Sequence, residues 1–159
     1  FGALDVELVD QAHRALGDGH GDRVLRVIAE RLRHATRGSD LVARVAVDEF
    51  AILLVGVRDE QDVTSIVARI RAAITRPVVL RAAEGTDPSP AEASAGAPRV
   101  PDAIALRVSL GVAGADSGSS PTALLQAAAL AVAHAKAAGG DRVVTFTPSM
   151  SARGADRLA

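Results

Sequence analysis

The chain has 159 residues, enough for one domain with a sizeable core and short for two. Hydrophobic residues make up 48% and charged residues 23%, an ordinary globular balance, and no apolar run approaches the roughly 20 residues that span a bilayer. The absence of cysteine excludes a disulfide scaffold, cysteine zinc sites and thiol catalysis, and a net charge of −1 argues against a general polyanion binder.

Residues 1–6 form a short apolar run that reads as a buried strand, and so abrupt a start fits a chain cut from a longer one. Residues 9–16 are weakly helical, and the glycine-rich stretch 17–22 reads as a turn. Val24, Leu25, Ile28 and Leu32 recur at helical spacing and predict an amphipathic helix over 24–35. A turn follows at 36–40. Residues 41–45 and 50–55 are strand-like runs separated only by 46–49, which predicts a β-hairpin. Acidic residues at 59–62 suit the first turn of a helix over about 61–75, ending before Pro77.

Residues 77–81 are a further strand candidate. Over 82–101 the composition shifts to Ala, Pro, Ser, Gly and acids, which buries too little apolar area for order and predicts a mobile surface loop. A strand is expected over 104–113. Ser120-Pro121 supplies a helix cap and an N1 proline, and Gly139-Gly140 closes that helix after Ala138. A last strand falls at 142–146, and the tail from 147 has no periodicity. The mixture predicts an α+β sandwich, with helices packed around a central mixed, largely antiparallel sheet. One domain is expected over 1–146, followed by a tail over 147–159.

Of the 18 basic residues Lys136 is the only lysine, and the rest are arginine. An Ala- and Arg-rich composition fits a GC-rich genome, so a single arginine carries little weight by itself. Three Phe and no Tyr or Trp leave little for base stacking, so no nucleic-acid partner is expected. No membrane contact and no secretory signal are visible, and a cytoplasmic location is expected. His20, His34 and His134 are too scattered for a metal site.

Two acidic positions stand out. Asp5 lies in the first strand, and Asp48-Glu49 lies at the hairpin tip. If that strand lies beside the hairpin, Asp5 and Asp48 converge on a divalent ion such as Mg²⁺. Singly, each also reads as a solvated strand-end charge or as turn chemistry.

Together the motifs resemble a family. Arg44 to Phe50 (RVAVDEF) resembles the R-x-G-G-D-E-F hairpin of the GGDEF diguanylate cyclases. Leu4-Asp5-Val6-Glu7 resembles its first strand, and Gly17 with Gly21-Asp22 its G-H-x-x-G-D segment. Arg37-Gly38-Ser39-Asp40 is similar to its R-x-x-D, Val67 to Arg71 to its A-E-R-I-R, and Ser109 to Ala113 to its S-I-G-I-A. Residues 124–139 resemble its last helix, with Lys136 at the A-K position. The match runs from about 4 to 146.

The resemblance implies a nucleotidyl-cyclase or polymerase-palm fold and a two-metal joining of two GTP molecules into cyclic di-GMP by a homodimer. Asp5, the Val6 carbonyl and Asp48 would hold Mg²⁺ (or Mn²⁺), with Glu49 beside them as the second catalytic acid. Lys136 and Arg44 would neutralise phosphate or partner charge, and Asp22 would accept from the guanine edge. Arg37, Asp40 and Arg69 would form the inhibitory site for cyclic di-GMP, two guanidinium forks and one carboxylate suited to phosphate and guanine edges.

Departures cluster on substrate positioning. The paired glycines are Ala46 and Val47, and the family's guanine-binding Asn is His13. Its first-strand Lys is Asp10, and the Arg after the helix Lys is Gly140. Phosphoryl transfer depends on positioning and electrostatics, so turnover should nearly vanish. The sequence therefore points to a degenerate domain in cyclic di-GMP signalling, most simply a regulatory module binding at R-x-x-D. The alternatives are an allosteric GTP/Mg²⁺ domain, a residual cyclase and a ligand-free interaction module. Other domains of a longer polypeptide, sensory or phosphodiesterase, are the expected neighbours.

Overall fold

A computed structural model describes residues 2–8, 11–79, 103–115 and 119–155, with side chains over 21–79, 103–115 and 119–151. The elements run β1 (Gly2–Leu8), α1 (Gln11–Ala35), β2 (Leu41–Arg44), β3 (Glu49–Leu54), α2 (Glu60–Ile74) and β4 (Val78–Val79). They continue with β5 (Ala103–Ile104), β6 (Val108–Gly114), α3 (Pro121–Ala137), β7 (Val143–Thr145) and α4 (Pro148–Ala155).

Five strands share one sheet in the order β2-β3-β1-β6-β7. The pairs are antiparallel except β6 with β7, which run parallel. That pair is joined through α3, the long crossover a parallel connection requires. The short strands β4 and β5 pair in a separate ribbon. This is the expected α+β architecture, a palm-like sheet covered by helices.

Side chains alternate across the sheet. Phe50, Ile52 and Leu54 of β3, with Val108, Leu110 and Val112 of β6, belong to the larger core. There they meet Ile28 and Leu32 of α1 and Ile66, Ile70 and Ile74 of α2. Ile28, Leu32, Ile52, Ile70 and Ile74 are fully buried, each contributing about 2 kcal/mol from apolar burial. The opposite face carries a thinner layer, Ala113 against Leu124 and Ala128 of α3, with Leu53 and Phe146 at its margin.

The thinness has a specific cause. Ala128, Ala131 and Ala135 are fully buried, so α3 lies close to the strands. At Gly111 a Cβ would stand 2.2 Å from the Ala128 carbonyl oxygen and 2.6 Å from the Val132 nitrogen. Only glycine fits under the helix there.

Several expectations need correction. The stretch 17–22 is not a turn; it is interior to α1, which runs unbroken from Gln11 to Ala35. Each glycine costs about 1 kcal/mol against alanine, but a helix already anchored by Val24, Leu25, Ile28 and Leu32 extends without a new nucleation step. The strand expected over 104–113 is two strands, one in each sheet. The strand expected over 77–81 is described only at Val78–Val79. The tail is not featureless, since Thr147-Pro148 opens α4, with Met150 N–H on the Thr147 carbonyl at 2.9 Å. The loop expected over 82–101 lies outside the described residues.

Local signals account for the other boundaries. Asp59 caps α2, accepting from the Asp62 N–H at 2.7 Å. Ser120 caps α3, accepting from the Ala123 N–H at 3.1 Å, with Pro121 next. After α3, Gly139 (φ 103°) and Gly140 (φ 71°) turn the chain, which suits residues without a Cβ.

Candidate functional site

β1 is paired on both sides, so each of its residues is levelled against two neighbours. Glu7 stands opposite Glu49 of β3 and Ser109 of β6; Asp5 stands opposite Ala51 and Gly111. Val6 is opposite Phe50 and Leu110. Residues two apart share a face, so positions 5 and 7 of β1 are in register with Ala51, Glu49, Gly111 and Ser109, and Gly111 is the residue that meets α3. Asp48 lies at the hairpin tip, three positions beyond the Asp5 level, or about 10 Å of strand. Lys136 is in the last turn of α3. That helix end reaches the Ser109 level, because a Cβ on Gly140 would lie 3.5 Å from the Ser109 hydroxyl. The topology thus brings the Glu7 position, Glu49 and the end of α3 that carries Lys136 to one level of the sheet, with the Asp5 position two residues further along β1.

Carboxylates and carbonyls at that end are hard donors, suited to Mg²⁺ or Mn²⁺. Among the described residues, no three carboxylate or imidazole side chains converge to hold a metal ion. Asp48 and Glu49 by themselves therefore form no metal centre, and the strand positions of Asp5 and Val6 are what the ladder adds.

The hairpin tip closes on itself. The Val45 N–H and Ala46 N–H both donate to the Glu49 carbonyl, at 2.9 and 3.4 Å. Arg44 bends back over the tip, its Nε donating to the carbonyls of Ala46 (3.1 Å) and Val47 (3.2 Å), its Nη2 to Val47 at 2.5 Å. Among the described non-glycine residues positive φ occurs at Asp141, so Ala46 and Val47 adopt ordinary negative φ. The tip adopts none of the positive-φ conformations that suit glycine and is held from within. Val47 is 61% exposed there.

Beneath the hairpin a groove of about 410 Å³ runs between α1 and β2. Leu25 and Phe50 form its floor, and Asp22, Arg26, Arg33 and Arg44 form its rim. The groove brings Asp22 and Arg44 together. His13 is on the same helix, nine residues earlier, about 13 Å along its axis.

A second constellation surrounds the turn between α1 and β2. Asp40 uses both carboxylate oxygens: Oδ2 accepts from the Arg37 N–H at 2.8 Å and Oδ1 from the Val55 N–H at 3.1 Å. The Asp40 N–H returns to the Arg37 carbonyl at 3.0 Å. The Arg37 side chain is 45% exposed and reaches Asp62 at 3.4 Å. Arg69, from α2, donates through Nε to the Ala35 carbonyl at 2.9 Å. Arg37, Asp40 and Arg69 are therefore brought together around one rigid turn.

The two helices cap each other. While Arg69 satisfies the end of α1, Arg31 of α1 donates to the carbonyls of Ile74 (3.3 Å), Arg76 and Pro77 (2.8 Å) at the end of α2. Guanidinium groups suit helix C-termini, where carbonyls lack intrahelical partners and the dipole is negative. Burial, and then the nearby Arg76 charge, lower the Arg31 pKa from its ordinary value.

Sequence reasoning missed Arg26 and Arg33 in the groove, although Arg26, Ala29 and Arg33 form a legible i, i+3, i+7 stripe. It also missed Asp141 (φ 50°), whose backbone carbonyl and carboxylate receive Arg71 at 3.1 and 3.4 Å. No short motif marks that contact, which spans 70 residues of chain.

A central β1 with a carboxylate-bearing hairpin alongside is the arrangement of a nucleotidyl-cyclase palm domain. Residues 3–102 match the family described as Diguanylate cyclase, GGDEF domain. The chain belongs to the GGDEF family. It is 29% identical over 150 residues to the protein y4lL of Sinorhizobium fredii, covering 94% of this chain and 16% of that one. To the diguanylate cyclase TpbB of Pseudomonas aeruginosa it is 39% identical over 77 residues, 48% of this chain and 18% of TpbB. The solved GGDEF domain of TpbB (YfiN) gives a TM-score of 0.75 at 27% identity, covering 94% of this chain and 78% of that one. The GGDEF domain of DgcB from Caulobacter crescentus, solved in complex with cyclic di-GMP, gives 0.69 at 19% identity, over 91% and 76%. That last likeness is one of fold. The chain spans 16% to 21% of the length of the first curated relatives.

Proposed function

We propose that this GGDEF domain is a regulatory module that binds cyclic di-GMP through Arg37, Asp40 and Arg69 and makes none itself. One observation carries the binding reading. Asp40 holds the turn through the Arg37 and Val55 N–H groups, Arg69 bonds the Ala35 carbonyl two residues before Arg37, and the exposed Arg37 guanidinium reaches Asp62, so two arginines stand at the turn that one carboxylate fixes. Such a set suits a phosphodiester and a guanine edge. Calorimetry with cyclic di-GMP tests it. Wild-type protein should bind, and Arg37→Ala should not. No heat at concentrations on the order of tens of micromolar, or unchanged binding by Arg37→Ala, overturns it.

The hairpin tip supports the reading that catalysis is lost. Arg44 is held by the carbonyls of Ala46 and Val47, and the Ala46 N–H is turned to Glu49. Neither is left to position a triphosphate, whose transfer depends on such positioning. Mg²⁺ or Mn²⁺ at Asp5, Val6 and Asp48 belongs to the ancestral reaction in this reading, with Glu49 as its vestigial acid.

A second reading rests on the groove of about 410 Å³ that holds Asp22 and Arg44 above Phe50. Its shape and charge suit a nucleotide such as GTP with Mg²⁺, acting as an effector, with His13 and Lys136 as further contacts. A thermal shift with Mg-GTP that disappears in Asp22→Ala supports it, and a shift that survives the substitution rejects it. In either reading the domain serves a larger cytoplasmic polypeptide, with a homodimer as the simplest assembly. Among the described residues no helix is long and apolar enough to cross a membrane.

A further inference from the structure

On the flank of the molecule α1 and α2 enclose a second groove, of about 670 Å³. Arg31, His34, Arg69 and Arg76 line it together with Ala35, Ala72 and Ala73. Among the described residues no carboxylate lines it. Among the described residues none of these four cationic side chains has an acidic partner. Proteins rarely gather guanidinium groups without a counter-charge, because like charges at close range repel. Two of the four have a structural reason to be there, since Arg31 and Arg69 cap the opposite helix. His34 and Arg76 do not: both are exposed, and neither side chain bonds a helix end. Nearby Arg76 depresses the Arg31 pKa further, as expected for positive charges left unneutralised.

We infer that this groove is an anion subsite that takes a phosphate group of the ligand gripped at Arg37 and Asp40. Arg69 joins the two regions: it lines the groove and bonds the Ala35 carbonyl, two residues before Arg37. A ligand with two phosphates, one at the Arg37 turn and one in the groove, answers both clusters. At about 670 Å³ the groove is far larger than a bare inorganic ion, which would leave most of the space unfilled. The inference rests on the cyclic di-GMP reading and adds His34 and Arg76 to it.

The test compares cyclic di-GMP affinity by calorimetry in wild type, Arg37→Ala, Arg76→Ala and the double variant His34→Ala/Arg76→Ala. Among the described residues neither His34 nor Arg76 supplies a side-chain hydrogen bond to the fold, so both variants should melt as wild type does. Charge-assisted contacts to phosphate are among the stronger ones, so Arg76→Ala should weaken binding about tenfold and the double variant more. Wild-type binding that is equally strong in the double variant overturns the subsite and leaves the Arg37 reading standing. Absence of binding in the wild type overturns both. A parallel titration at raised salt supports the subsite if the wild-type affinity falls more steeply than that of the double variant. Equal slopes speak against it.

Discussion

Gly111 of β6 and Ala128 of α3 approach so closely that a methyl group on Gly111 would stand 2.2 Å from the Ala128 carbonyl oxygen. The obstacle is backbone, which cannot swing away as a side chain can. Gly111→Ala should therefore destabilise at or above the upper end of the roughly 1–3 kcal/mol typical of overpacking. A urea melt checks it. A loss below about 0.5 kcal/mol would show that α3 rides higher on the sheet than described.

Asp40 and Arg37 separate stability from binding. Asp40→Ala leaves the Arg37 and Val55 N–H groups without their acceptor and should cost about 1–3 kcal/mol. Arg37→Ala removes only an exposed ion pair to Asp62, worth at most about 1 kcal/mol. The Arg37 variant should thus keep its melting temperature while losing cyclic di-GMP, and comparing the melts with the binding isotherms reads both effects.

Incubated with GTP and Mg²⁺ or Mn²⁺, the protein should form no cyclic di-GMP detectable by chromatography. The double variant Ala46→Gly/Val47→Gly should form none either, because Asp10 and Gly140 still stand where the family has cations. Product from the double variant alone would locate the whole defect at the hairpin tip, and product from the wild type would refute the regulatory reading.

Arg31 and Arg76 should behave oppositely although both line the same groove. Arg31→Ala strips the end of α2 of a donor to the carbonyls of Ile74, Arg76 and Pro77, and should cost about 1–3 kcal/mol. Arg76→Ala removes a positive charge that opposes Arg31, so its melt should be unchanged or slightly raised. Thermal unfolding at neutral pH and low salt compares them.

Much of this was legible in the residues. The hairpin, the cap at Ser120 and the inward stripe of α1 each follow from local patterning, and the family's motifs single out Arg37, Asp40 and Arg69, which the fold sets about the turn between α1 and β2. Glycine counting misled at 17–22. A turn signal competes there with a helix already anchored from its far end, and packing overrode propensity. The groove arginines Arg26 and Arg33, and the reciprocal caps Arg31 and Arg69, were hidden for another reason. In an arginine-rich chain no single guanidinium is informative until its neighbours in space are known, and those neighbours are up to 46 residues away in sequence.

The place of β1 in the sheet sets the order in which the domain can be built. Its seven residues are made before the other strands of this sheet, yet they are bracketed by β3 on one side and by β6, more than 100 residues later, on the other. Until residue 114 has been synthesised, the nascent sheet carries β1 as an open border with unpaired amides. Such long-range closure is slow, and an unpaired border invites pairing with other chains. Anyone trimming the domain to the family-matched span, 3–102, would discard β6 and α3 and leave that border permanently bare.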